Sequence, residues 1–343
     1  MLRKILLIAL GSLASLIAIE LVLRILPTPT ATRMGQYIDP LISTYPPNFE
    51  FQSATGWAFL NPQQQRSNEF GFIPDRPFSY SPDAIALIGD SLVEQSMLIS
   101  SDRLAMQLEN GRSGAPVFSL GIPGSSLFDY LERIRFARDK LGVRKFWIVV
   151  EGADVRQSLC EHAAYVDVCL DTNGEILRKK KPPRDPLRDI FAHSAVLQYF
   201  IGVLRLSPKA LVESINRPAL SKMEEGTATV ADKPSGTPLS SAEVSVIERF
   251  FRELSSFSSI KVGLVIDPRL GDLNRNDEFI NPALESVYRQ AIAAGIAVVH
   301  PFRDLKQYSD LTGLEMRVGP YDEHWNARAN AVIAKAILRK APM

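Results

Sequence analysis

Histidine and cysteine are scarce in this chain of 343 residues, with four of the first and two of the second. No group of them has the spacing of a zinc site, and no glycine-rich loop is built to cradle phosphate. Neither a metal nor a cofactor is therefore expected. Charge is balanced: 39 Lys and Arg stand against 38 Asp and Glu, a formal net charge of +1. That balance leaves no electrostatic footprint for nucleic acid or for a strongly anionic partner. Internal repeats are absent too. What is present, 46% hydrophobic and 22% charged residues, is ordinary for a folded globular protein. The length fits one large domain plus an anchor, or two small domains.

The N-terminus departs from that average. Arg3 and Lys4 precede Ile5–Ile19, which carries no charge, and the apolar character runs on to Leu26 around Glu20 and Arg24. At about 1.5 Å per residue such a helix crosses a hydrocarbon core of roughly 30 Å. Glu20 and Arg24, spaced i, i+4, can pair on one face, and an arginine near the end can snorkel. No small-x-small cleavage site precedes Pro27. Residues 1–26 are thus expected to be an uncleaved membrane anchor, with a cleaved signal peptide as the rival reading. Either way Arg3 and Lys4 stay inside and the body is exported. The expected place is a bacterial inner membrane, crossed once, with the main domain on the periplasmic side.

Residues 27–82 read as an extended lead-in, rich in Pro, Thr, Gln and aromatics, in which Asn68–Asp75 forms an ordered turn. From residue 83 onward, apolar β-branched runs alternate with helical spacing. Strands are expected over Ala84–Ile88, Val117–Leu120, Phe146–Val150, Val262–Ile266 and Ala297–His300. Helices are expected over Leu127–Lys140, Ala242–Phe257 and Ala327–Leu338. This alternation predicts an α/β domain over 83–343, a parallel sheet covered by helices on both faces.

An insertion around 155–240 breaks the rhythm. It holds a basic, Pro-containing run from Arg178, an apolar helix candidate at Phe191–Leu206 and a loop at Glu224–Ser241. The basic run reads as a solvated loop, against contact with anionic lipid heads or an acidic glycan. Asp167–Ile176 reads as strand, Asn-Gly turn, strand. Cys160 and Cys169 are close enough in sequence to pair in an exported chain, against the alternative of two thiols.

The chemistry gathers at two points. Ile85–Leu92 is an apolar run that stops at Gly89-Asp90-Ser91-Leu92, and such a strand end is where an α/β fold exposes a nucleophile. A serine there needs a distant histidine and carboxylate, and Asp322-Glu323-His324-Trp325-Asn326 offers both. His324 would take the Ser91 proton during attack and return it to the leaving alcohol. Asp322 would fix the imidazole tautomer.

At these residues the chain resembles the SGNH (GDSL-type) esterases and acyltransferases. Gly89–Leu92 matches that family's first motif, with Ser91 as nucleophile. Ser119-Leu120-Gly121-Ile122-Pro123-Gly124 is similar to its second, in which Gly124 would give a backbone N–H to the oxyanion. Gly152-Ala153-Asp154 falls where its third motif, Gly-x-Asn, would lie. Asp322 and His324 match its last, with the Asp two positions before the His where many members place it three positions before. That shorter gap resembles the membrane-associated, polysaccharide-modifying branch, whose motif order differs. The likeness covers roughly residues 83–340. It implies a three-layer, flavodoxin-like fold with a five-stranded parallel sheet behind an N-terminal transmembrane helix.

The resemblance implies an oxyanion hole of the Ser91 N–H, the Gly124 N–H and the side chain at 154. Asp154 is the discordant member, because an ionised carboxylate accepts hydrogen bonds and cannot donate them. Ser119, Gln157 or a backbone N–H of the insertion could stand in. His162, His193 and His300 read as surface or core residues, and Trp325 as core or as a wall of the cleft. The leading expectation is serine-dependent hydrolysis or O-acyl transfer, acetyl foremost, on a small ester or a cell-envelope glycan. The alternatives are a non-catalytic scaffold or glycan-binding subunit, favoured by Asp154, and a lysophospholipase-like enzyme of the membrane surface.

Overall fold

The structure is a computed structural model that describes residues 2–30, 34–38, 42–112, 115–163, 167–180, 192–204, 238–273, 278–279, 281–320 and 322–340. Its first element is a helix, α1 (Leu2–Ile25), followed by β1 (Gly35–Ile38), β2 (Ile42–Thr44), β3 (Glu50–Thr55) and β4 (Leu60–Arg66). Next come β5 (Ile85–Gly89), α2 (Ser91–Glu94), α3 (Leu104–Asn110), β6 (Val117–Gly121), α4 (Leu127–Leu141), β7 (Lys145–Val150) and α5 (Gly152–Gln157). A hairpin of β8 (Val168–Leu170) and β9 (Ile176–Arg178) precedes the short α6 (Ala195–Leu197). The remainder is α7 (Ser241–Ser255), β10 (Lys261–Ile266), α8 (Pro282–Ala293), β11 (Ala297–Val299), α9 (Phe302–Thr312), β12 (Arg317–Gly319), β13 (Asp322–Trp325) and α10 (Ala327–Lys340).

These elements fall into two compact units, one drawn from 1–33, 50–65 and 182–229, the other from 34–49, 66–181 and 230–343. The larger unit is an α/β domain. Its five-stranded sheet has the order β11-β10-β7-β5-β6, and every pairing is parallel. Counted along the chain, that is the doubly wound order 2-1-3-4-5. The strands are near-continuous apolar runs because both of their faces are covered: β5 and β6 are buried at every position.

Leu87, Trp147, Val149 and Val265 point to one face and pack with Leu104 and Leu108 of α3, Leu305 of α9 and Ile333 and Ile337 of α10. Helix α4 packs against β5 and β7 on the opposite face, with α7 against it. Local signals place the helices. Ser126 and Asp129 form a capping box at the start of α4, and Gly142 closes it at φ 72°. Ser240 and Glu243 do the same for α7.

The five expected strands and the three expected helices of this domain are all present, within three residues of their expected ends. The 27–82 stretch, by contrast, contains two antiparallel hairpins, β1–β2 and β3–β4. Within it Ile42, Tyr45, Phe72 and Ile73 are buried. Asn68 orders the turn before the sheet by accepting from the N–H groups of Phe70 and Phe72. Cys160 and Cys169 are joined by a disulfide, with Cα atoms 5.0 Å apart.

In the smaller unit, α1 is long and apolar enough to cross a membrane, with mean hydropathy 2.5 over an 18-residue window within Arg3–Ile25. The apolar helix expected at Phe191–Leu206 is broken where it is described. Only Ala195–Leu197 is α-helical, and Gln198–Val203 forms a π-turn. Residues 191, 205 and 206 of that stretch, residues 181–184 of the basic run and most of 224–241 lie outside the described residues.

Candidate active site

The order 2-1-3-4-5 reverses between β5 and β7, and the carboxyl ends of those strands flank the crevice where such sheets carry their ligands. Ser91 stands there, two residues beyond β5, as the first residue of α2. Asp90 caps that short helix, its Oδ1 accepting the Leu92 N–H at 3.0 Å. The turn is tight enough to demand glycine at its side: a Cβ on Gly121 would run into the backbone of Val93 and Glu94. Gly124 holds a φ of +69°, a left-handed conformation that glycine adopts freely.

His324 arrives from 233 residues away. Its Nε2 lies 2.8 Å from the Ser91 Oγ, and its Nδ1 lies 2.5 Å from Asp322 Oδ1. The same carboxylate oxygen accepts the His324 backbone N–H at 3.0 Å. With Nδ1–H given to Asp322, Nε2 is left to accept the serine proton. Burial depresses the basicity of His324, but the Asp322 hydrogen bond and charge, with Asp90 and Glu94 beyond, outweigh it and leave the imidazole above its usual value. The short β12–β13 ribbon carries this pair.

The rest of Asp-x-His-Trp-Asn is architectural. Trp325 is 1% exposed and belongs to the core against α10, and its Nε1 donates to Asp267 at 3.3 Å. Asn326 accepts from the N–H groups of Arg328 and Ala329 at the start of α10. Its Nδ2 donates to the carbonyls of Glu315 and Arg317.

Asp154 is brought close to the nucleophile's turn but not to its open side. It is wholly buried, and its Oδ2 accepts the Glu151 N–H at 2.9 Å as half of a capping box. Its Oδ1 has no hydrogen-bond partner. Carboxylate oxygens of Asp90, Glu151 and Asp154 lie within 4.8 Å of one another, near enough to hold a metal ion. Burial first, then the neighbouring Asp90 charge, pushes both Glu151 and Asp154 well above the carboxylate range, and a neutral Glu151 hydrogen-bonds Asp90. Of the stand-ins considered for the third donor, Ser119 is committed, its Oγ donating to the Val93 carbonyl at 3.0 Å. The buried Oε1 of Gln157 has no partner. His300 sits among Phe279, Tyr288 and Phe302.

Three acidic groups of this region escaped the sequence reading. Glu151 follows β7 and Asp267 follows β10, each the first polar residue after an apolar strand, and that position was the available signal. Burial pushes Asp267 up to about 6. Glu94, also raised by burial, receives the Tyr45 O–H at 2.8 Å. No local pattern announces a bond across so many residues.

No family model matches the chain, and no curated protein matches it in sequence. Solved structures similar to it include a member of the lipolytic protein G-D-S-L family from Veillonella parvula. The two share 11% identity over 75% of this chain and 96% of that one, with a TM-score of 0.39. A catalytic mutant of an acetylxylan esterase from Geobacillus stearothermophilus shares 11% identity over 78% of this chain and 96% of that one, at a TM-score of 0.39. A lipase/acylhydrolase from Enterococcus faecalis shares 11% identity over 75% and 93%, at a TM-score of 0.37. What those proteins act on is theirs; the chemistry of this chain has to be argued from its own residues.

Proposed function

We propose that the chain is a serine-dependent esterase or O-acyltransferase that works on an ester, acetyl foremost, of a cell-envelope glycan. One observation carries this reading: the unbroken line from Ser91 Oγ through both ring nitrogens of His324 to the Asp322 carboxylate. Neutral serine is a weak nucleophile at pH 7. A base at 2.8 Å, itself fixed in one tautomer, removes that weakness during attack. The N–H groups of Ser91 and Gly124 would receive the oxyanion. Hydrolysis and transfer share the acyl-serine and differ only in whether water or a sugar hydroxyl removes the acyl group. A membrane anchor at α1 and a domain on the outer side would put the site beside envelope polymers.

Intact-mass measurement after exposure to a fluorophosphonate tests the reading. One adduct on the wild-type chain and none on Ser91→Ala is the expected result. A folded wild-type chain that stays unlabelled would favour the scaffold reading instead.

A further inference from the structure

The smaller unit contains a polar junction inside an apolar setting. Glu20 and Arg24 sit in the last part of α1, bonded Oε1 to Nε at 2.8 Å. Glu20 also accepts the Ser194 O–H and the backbone N–H groups of Ala195 and Val196, each at 3.0 Å. Arg24 reaches over to the His193 carbonyl at 2.8 Å. An acidic side chain near the end of an apolar helix and the open N–H groups of a short helix are each expensive in lipid. Here each satisfies the other.

The depth follows from the helix rise. Glu20 lies fifteen residues past Ile5, or roughly 22 Å at 1.5 Å per residue. Against a hydrocarbon core of roughly 30 Å that places it near the far boundary. The segment it holds, Ser194–Val203, has Gln198 as its one amide or charged side chain after Ser194. Aromatic rings gather on that segment. Tyr199 packs on Phe59 at 5.2 Å and on Phe200 at 5.9 Å, and its O–H donates to the Trp57 carbonyl at 3.1 Å. Trp57 is 62% exposed and Phe200 40%. Tryptophan and tyrosine settle at the level of lipid headgroups, where a ring can be half apolar and half wet.

We infer that Trp57, Phe59, Tyr199 and Phe200 form an interfacial patch that lies in the headgroup–acyl boundary of the leaflet through which α1 leaves. Its occupant is that lipid surface. The inference rests on reading α1 as a membrane anchor, and the test separates the two.

The chain has three tryptophans. Trp147 and Trp325 are 0% and 1% exposed, so quenching by lipid reports Trp57. The full chain is placed in phosphatidylcholine–phosphatidylglycerol vesicles and floated after a carbonate wash. Fluorescence is then read with lipids brominated near the top or near the end of the acyl chains, and with aqueous iodide. The chain is expected to float, and shallow bromines should quench the emission that Trp57→Phe removes, with iodide and deep bromines acting weakly. A chain that floats but whose Trp57 is quenched by iodide and not by shallow bromines overturns the patch and leaves the anchor standing. A chain that fails to float overturns both. In Glu20→Leu the helix stays apolar while the junction is lost. Shallow quenching should fall in a chain that still floats, and unchanged quenching would overturn Glu20 as the tie.

Discussion

Two carboxyl groups near Ser91 are used in opposite ways. Asp322 accepts two N–H groups of His324, one from the ring and one from the backbone. Asp154 has a single N–H donor and an orphaned second oxygen, in a place with no exposed surface. In the proposed reaction the first would serve a base that becomes cationic. Burial and the Asp90 charge outweigh the Glu151 N–H and the nearby Tyr130 hydroxyl and hold the second well above the usual carboxylate range. Partnership rather than burial alone decides which acid can do chemistry here.

Removing the serine or its base should have the largest effect. Ser91→Ala and His324→Ala are expected to lower turnover of an acetyl ester at least 10³-fold while the Tm changes little. Steady-state assay beside a thermal melt reads both, and near-wild-type turnover in either variant would break the comparison at its active half.

Asp322→Asn is expected to lower kcat by about 10³–10⁴-fold, because it favours the wrong tautomer. The residual activity carries a second signature. Only neutral His324 acts as a base, so activity rises with pH through the imidazole pKa, which Asp322 helps to raise. Without that carboxylate the acidic limb of a pH–rate profile should move to lower pH.

The other half is tested by stability. Burial raises the folded-state pKa of Asp129 and Asp267 to about 6 and raises Asp154 and Glu151 further. Across pH 4–6 and beyond, the folded chain therefore holds more protons than the unfolded one, and its stability falls as pH rises. The Tm should be higher at pH 5 than at pH 8. Asp154→Asn keeps an acceptor for the Glu151 N–H and removes the titration, so it should raise the Tm at pH 8 by on the order of 1–2 kcal/mol of stability. Turnover should stay within about threefold, since the side chain is wholly buried in the capping box of α5. A collapse of activity would show that this carboxyl has catalytic work.

Asn326→Ala should be the mildest change. Loss of the α10 cap is expected to reduce stability by about 1 kcal/mol, with turnover within a few-fold. A denaturant melt together with the ester assay checks it.

The sheet was legible because its strands are near-continuous apolar runs followed by a polar or glycine residue, as in Ile85–Gly89 and Lys145–Val150. Helices α4 and α7 were legible from the helical spacing of their apolar positions, and the capping boxes at Ser126 and Ser240 fix where they begin. The pairing of Ser91 with His324 was readable because a Ser-His-Asp arrangement restricts which residue types can meet at a strand end. The β1–β4 hairpins were not, since strands of three to seven residues rich in Gln and Pro carry little periodicity. Asp154 illustrates a different failure. Motif alignment set it beside the substrate, whereas the capping box that turns it inward is decided by Glu151 three residues earlier. Trp325 and Asn326 sit inside a chemical motif and yet hold α10 in place, which only packing reveals.

The bond between Ser91 and His324 joins residues 233 apart in sequence. Its strand, β5, has a neighbour from later in the chain on each side. Such long closures come late, after the entropy of the intervening chain has been surrendered. Reactivity at Ser91 is therefore a clock for folding. In a refolding experiment, covalent labelling of this serine should lag behind recovery of helical circular dichroism, and the lag measures the final docking of β13 and α10 onto the sheet.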